Sequence, residues 1–105
     1  MIYKPEDTIK NFVSNYQEIF DRTISGINQA IEDNSKRGLL KSKYMITIDY
    51  TPEMDELFNA IFQRVCTFFS DERYDIEFEV KPSEDKKSCT YVFNIDWFDL
   101  ITYWR

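Results

Sequence analysis

From Tyr74 to Lys81 the chain alternates with a period of two, with Tyr74, Ile76, Phe78 and Val80 on one side and Asp75, Glu77, Glu79 and Lys81 on the other. Successive side chains of an extended strand point to opposite faces, so this segment has one side to bury and one to leave in water. The pattern returns twice. Tyr44 to Tyr50 sets Tyr44, Ile46, Ile48 and Tyr50 against Met45, Thr47 and Asp49, and Thr90 to Trp97 sets Tyr91, Phe93, Ile95 and Trp97 against Thr90, Val92, Asn94 and Asp96. Three strands with a single apolar side each need one layer of cover and leave the other face of their sheet open.

Two helical patterns supply the cover. Ile9, Phe12, Val13, Tyr16, Ile19, Phe20, Ile24, Ile27, Ala30 and Ile31 recur at three and four residues on one arc of a helical wheel. Pro5, then Glu6 and Asp7 at the positive end, and Gly38 after Lys36 and Arg37 bound this helix to about 5–37. Such a helix runs roughly 45 to 50 Å, more than the width of a domain this size. It either bends near Ser25-Gly26 or carries its N-terminal part beyond the body. Leu39 to Lys43 reads as a link into the first strand, over 44–50. Thr51-Pro52 starts a second helix, over 52–70, with Met54, Leu57, Phe58, Ile61, Phe62, Val65, Phe68 and Phe69 as its apolar face. Strands over 74–81 and 90–97 follow, joined by the polar, Pro-containing stretch Lys81 to Ser88, and an aromatic tail occupies 98–105.

The expected fold is therefore a single α+β domain of order α-β-α-β-β, with a three-stranded mixed sheet and both helices on one face. A helical crossover makes strands one and two parallel, and the hairpin makes strand three antiparallel to strand two. The last strand is the most apolar and belongs in the middle, order 1-3-2, with 3-2-1 as the alternative. At 105 residues, with 43% hydrophobic and 17% aromatic content, one core holding about two-thirds of the chain's unfolded surface is expected.

Charge narrows the partners. Ten acids and four bases lie between Thr51 and Lys86, which holds the whole net charge of −6, while the remainder balances nine acids with nine bases. Direct nucleic-acid binding needs clustered Lys and Arg to displace counterions, and this field has the opposite sign. No apolar run has the length of a signal peptide or a membrane span, so a cytoplasmic protein is expected. Cys66 on the second helix and Cys89 at the last strand then read as reduced, small core residues.

Catalysis finds little support. There is no His for a triad or proton shuttle, neither of the two Gly lies in a phosphate-binding pattern, and the two Cys lack an identifiable activating neighbour. No cofactor is expected. Asp49, Asp75, Glu77, Glu79 and Asp96 should share the open face with Asn94, Met45, Thr47 and Val92. Closely spaced, desolvated carboxylates act as acid and base or hold a divalent cation, but a solvated sheet surface meets neither condition. The same row would suit a basic protein partner, including one whose groove otherwise holds nucleic acid. A second contact candidate is the tail, with Phe98, Leu100, Ile101, Tyr103 and Trp104. Its apolar side chains either fold back on the sheet edge or long helix, or form a contact patch.

Ile27, Ala30, Ile31, Gly38, Tyr44, Leu57, Tyr74, Ile95 and Trp97 fall in a pattern that resembles a loose group of small uncharacterised bacteriophage proteins. In these a long helix ending in an Ile-Ala-Ile pattern and a Gly leads into a Tyr-containing strand, a helix, an aromatic-led strand and a closing strand ending in Ile-x-Trp. The present chain has Glu72-Arg73 where Leu-Gly would commonly precede the aromatic, and it runs on after Trp97. The resemblance implies a phage or prophage origin, where small acidic proteins often bind host proteins, and hence the host bacterial cytoplasm. The functional expectation is a non-enzymatic acidic phage-type protein that binds and blocks a host or defence protein with a basic surface. The alternative is a self-associating structural or assembly component, a homo-oligomer that buries the overlong helix and the tail. A metal-dependent enzyme using the sheet carboxylates is the third reading.

Overall fold

Gly38 and Arg73 end the two long helices in the same way, and only one of them is a glycine. In the computed structural model, which describes residues 2–49 and 51–102, α1 spans Pro5–Lys36 and α2 spans Asp55–Ser70. After α1, Gly38 adopts φ 77° while the Leu39 N–H donates to the Asn34 carbonyl at 3.0 Å. After α2, Arg73 adopts φ 72° while the Tyr74 N–H donates to the Phe69 carbonyl at 3.2 Å. A left-handed residue at this position satisfies carbonyls that the helix leaves open, and glycine adopts it without steric cost.

The strands are β1 (Lys41–Asp49), β2 (Asp75–Pro82) and β3 (Ser88–Asp96). A 3-10 turn over Pro52–Met54 precedes α2, so the second helix starts later than the Thr51-Pro52 signal suggests. Thr51 contributes its carbonyl to the Met54 N–H at 2.9 Å rather than a side-chain cap. A short helix, α3 (Phe98–Thr102), closes the described chain.

The sheet order is β1-β3-β2. Both ladders, β1 with β3 and β2 with β3, are antiparallel. The two crossover-linked strands do run parallel to each other, but β3 separates them. The expected mixed sheet is therefore an antiparallel one. β3 is central because Cys89, Tyr91, Phe93 and Ile95 on its inner side are buried and Val92 on its outer side is 3% exposed.

Helices cover only the inner face. Phe62 of α2 packs its ring 4.3 Å from Tyr91, 5.5 Å from Phe93 and 6.3 Å from Phe78 (centroid distances), with Phe58, Ile61, Val65 and Phe69 buried around it. Phe68, expected on this buried face, is instead exposed and meets the edge of Phe20 at 6.5 Å. α1 lies over β1. Thr23, Ile27 and Ile31 are its buried residues, and the Thr23 hydroxyl is satisfied by the Ile19 carbonyl at 2.7 Å.

α1 continues without interruption through Ser25-Gly26, so the glycine there has another purpose than a break. A methyl group at Gly26 would collide with the Tyr44 ring, so the missing side chain lets helix and strand approach. The overhang is the alternative realised. Residues 8–15 are all exposed, and the molecule measures 63 × 33 × 20 Å.

Two stability outcomes follow. Arg73→Gly raises stability by about 0.5–1 kcal/mol in denaturant melts, because it relieves a left-handed side chain. Gly26→Ala costs about 1–3 kcal/mol by overpacking against Tyr44. In a Tyr44→Ser background the same Gly26→Ala change becomes stabilising by up to about 1 kcal/mol, the helix-propensity difference.

Candidate functional site

The open face begins three residues earlier on β1 than the sequence pattern indicates. Lys41, Ser42 and Lys43 are strand, not link. Ser42 takes the inward position, where an apolar residue would have announced a strand. Its hydroxyl donates to the Ala30 carbonyl at 3.2 Å and accepts from Asn34 Nδ2 at 3.0 Å, so a polar group is accommodated against α1. The consequence is that Lys41 and Lys43 stand on the open face with the acids.

The ladder register orders that face into rows across β1, β3 and β2. These read Lys41, Asp96, Asp75, then Lys43, Asn94, Glu77, then Met45, Val92, Glu79, then Thr47, Thr90, Lys81. Neighbouring strands lie about 4.8 Å apart, so the lysines face the β2 acids across roughly 10 Å. Over the first two rows lies an open depression of ≈ 600 Å³, lined among others by Lys41, Lys43, Asp75, Glu77, Asn94 and Asp96. The third row is apolar at an exposed Met45 and a buried Val92. In the fourth row the hydroxyls of Thr47 and Thr90 hydrogen-bond at 2.8 Å.

The candidate residues separate on this map. Asp75, Glu77 and Glu79 share β2, and Asp96 is beside Asp75. Asp49 pairs with Ser88 at the opposite corner, eight residues along the ladder and so roughly 26 Å or more from Asp75. Asp96 has a structural task, since its Oδ1 accepts the Phe98 N–H at 2.8 Å and starts α3. The acidic row is thus three carboxylates on one edge strand, faced by two lysines on the other. Among the described residues the one ion pair is Lys36 with Glu32 at 2.8 Å, so Asp75, Glu77 and Glu79 form none.

The tail divides between the two expected outcomes. Trp97 is buried and its N–H donates to the Leu40 carbonyl at 2.9 Å, and Leu100 packs on the core. Phe98 stays exposed and lines a groove with Leu39 and Leu40, and Ile101 is exposed as well. Tyr103 and Trp104 lie outside the described residues. Leu39 and Leu40 were missed as surface candidates because a Leu-Leu pair in a link carries no periodicity.

No three Cys, Asp or Glu side chains stand close enough to hold a metal ion among the described residues. No helix there is long and apolar enough to cross a membrane. Burial pushes the half-buried Cys66 thiol up to about 11. Burial also raises Cys89, against a Tyr91 hydrogen bond that favours its thiolate. A high thiol pKa leaves little thiolate at neutral pH. Neither family models, curated proteins nor solved structures match this chain.

The thiol chemistry gives a direct check. At pH 8 an aromatic disulfide reagent reacts with Cys66 in the native protein more than about tenfold slower than in the denatured chain, and the native rate climbs as pH approaches the raised pKa. Equal native and denatured rates would contradict this environment.

Proposed function

We propose that this protein is a non-enzymatic, phage-type binding domain that blocks a host or defence protein by presenting its acidic β2 strand to a basic surface. The observation that carries the reading is the row Asp75, Glu77 and Glu79, exposed and without an ion pair among the described residues. Alternate residues on a strand lie about 6.6 Å apart, so these carboxylates form a regularly spaced series on a backbone that is already ordered before binding. Lysines or arginines that line a nucleic-acid groove could engage such a row as they engage phosphates. The exposed Met45 in the same row as Glu79 adds an apolar contact beside the charged series.

Lys41 and Lys43 limit the contact to one half of the face. A uniformly basic partner is repelled at β1 and attracted at β2, which orients it. The partner's complement is therefore basic over β2 and neutral or acidic over β1.

Two measurements test this. Affinity for a captured partner falls at least roughly tenfold between about 0.05 and about 0.5 M salt, because exposed charges are screened. The Glu77→Lys, Glu79→Lys double variant loses the partner while its melting temperature stays within the range of surface substitutions, about ±0.5 kcal/mol each. Salt-independent binding, or binding unaffected by the double reversal, would sink the acidic-strand reading.

A further inference from the structure

β2 forms one edge of the sheet, since the order is β1-β3-β2. At the base of the hairpin the Ser83 N–H donates to the Ser88 carbonyl at 3.0 Å. Antiparallel partners alternate between positions that exchange hydrogen bonds and positions that do not, so Lys81, Glu79, Glu77 and Asp75 follow Ser83 in bonding to β3. The N–H and C=O groups of Ile76, Phe78 and Val80 turn the other way, out of the sheet. No backbone group of the described turns and helices bonds to them.

Two further features run along the same edge. Asp75, Glu77 and Glu79 stand exposed on the open face. On the inner face Ile76 and Phe78 are only half-buried and Val80 is 40% exposed, whereas Ile46 and Ile48 on the opposite edge strand, β1, are buried. Helix α2 therefore leaves the β2 rim of the apolar side partly uncovered. Unpaired backbone, an acidic row and an uncovered apolar row all repeat along this edge with a period of two.

We infer that β2 takes an added strand, an extended segment of a partner protein with Lys or Arg at alternate positions and aliphatic residues between them. Its backbone pairs with Ile76, Phe78 and Val80, its cations stand beside Asp75, Glu77 and Glu79, and its aliphatic side chains cover the inner row. This rests on the acidic-strand reading and names the element that the partner supplies. Residues directly opposite on neighbouring strands have Cβ atoms about 5 Å apart, within reach of a charge pair. Charge also selects this occupant over a second copy. Pairing two β2 strands about Phe78 sets Glu77 against the other copy's Glu79 twice, offset only by Asp75 against Lys81. A strand that is basic at every alternate position meets no such repulsion until Lys81. Pro82 has no N–H to offer and closes the usable edge at that end.

The probe is the peptide Lys-Val-Lys-Val-Lys-Val-Lys, titrated against the full chain at low salt by calorimetry. N-methylation of its valines removes the amides that donate to β2 and keeps every charge, and is expected to weaken binding at least about tenfold. N-methylation of the inner lysines, whose amides face away from β2, leaves binding nearly unchanged. On the protein side, Val80→Pro deletes one outward N–H without removing a β2–β3 bond, and is expected to lower affinity while circular dichroism shows the fold retained. Binding that falls with salt and with Glu77→Lys, Glu79→Lys but ignores valine methylation overturns strand addition and leaves the acidic-strand reading standing. Failure of the unmethylated peptide to bind overturns the inference as well, while the acidic-strand reading keeps its own test. So does a rise of the peptide-free chain to twice its 12.7 kDa mass that Val80→Pro abolishes, which would mean that a second copy takes the edge.

Discussion

Phe62 holds two strands to one helix. Its ring touches Tyr91 and Phe93 on β3 and Phe78 on β2, so the central strand, its neighbour and α2 share a single aromatic contact group. The inward side of each strand is committed mainly to this cluster or to its extension under α1. The other face offers only Met45 and Val92 as apolar residues, too little for a second helical layer, and it stays open. α1 packs beside this unit. It is held to β1 by close approach at Gly26 and Tyr44 and by polar contacts of Asn34 and Ser42. Farther toward its N-terminus Arg64 of α2 donates to the Tyr16 hydroxyl at 2.9 Å and lies over the Tyr16 and Phe20 rings at 5.8 and 5.6 Å. Beyond Tyr16 the helix is a rod without a floor.

What could be read from the residues follows where apolar periodicity is clean. β2 alternates without a fault, β3 does so except at Val92, and that apolar residue on its outer side is what favours its place between the others. The start of β1 is hidden because Ser42 satisfies an inward position by hydrogen bonds instead of burial, and Lys-Ser-Lys carries no apolar marker. That hidden turn of strand matters, since it adds Lys41 and Lys43 to a face that otherwise reads as acid alone. The left-handed residue after α2 is hidden for a similar reason, because an arginine stands where a glycine would signal it. At Ser25-Gly26 the glycine is visible but two physical uses compete, a break or a close approach. Only the position of the Tyr44 ring decides between them.

The charge distribution is lateral. Acids gather on β2, in the α2 termini and in the β2–β3 hairpin, while lysines mark β1. The hairpin acid Asp85 differs from the rest. Its Oδ1 accepts from the Ser83 hydroxyl at 2.6 Å and the Lys87 N–H at 3.0 Å, which holds its carboxyl below the usual carboxylate range. It shapes a turn in which Lys86 takes φ 58°. Counting acids along the chain hides a difference between them, because Asp96 and Asp85 accept backbone N–H groups, whereas Asp75, Glu77 and Glu79 stand in a row with no ion pair among the described residues.

The position of Asn34 has a consequence for how sheets of this protein can meet. The Leu40 carbonyl is bonded to Trp97, so the carbonyl of Lys41 points away from β3, toward the sheet's outer edge, and Asn34 Nδ2 donates to it at 3.1 Å. A strand arriving from another molecule would find its first acceptor taken and would have to lay its own backbone beside Lys41 and Lys43. Blocked acceptors and edge lysines are how native sheets resist growing sideways. Strand addition at β1 is thereby discouraged, which narrows to the β2 side the edge along which a chain rich in aromatic strands could stack into ribbons.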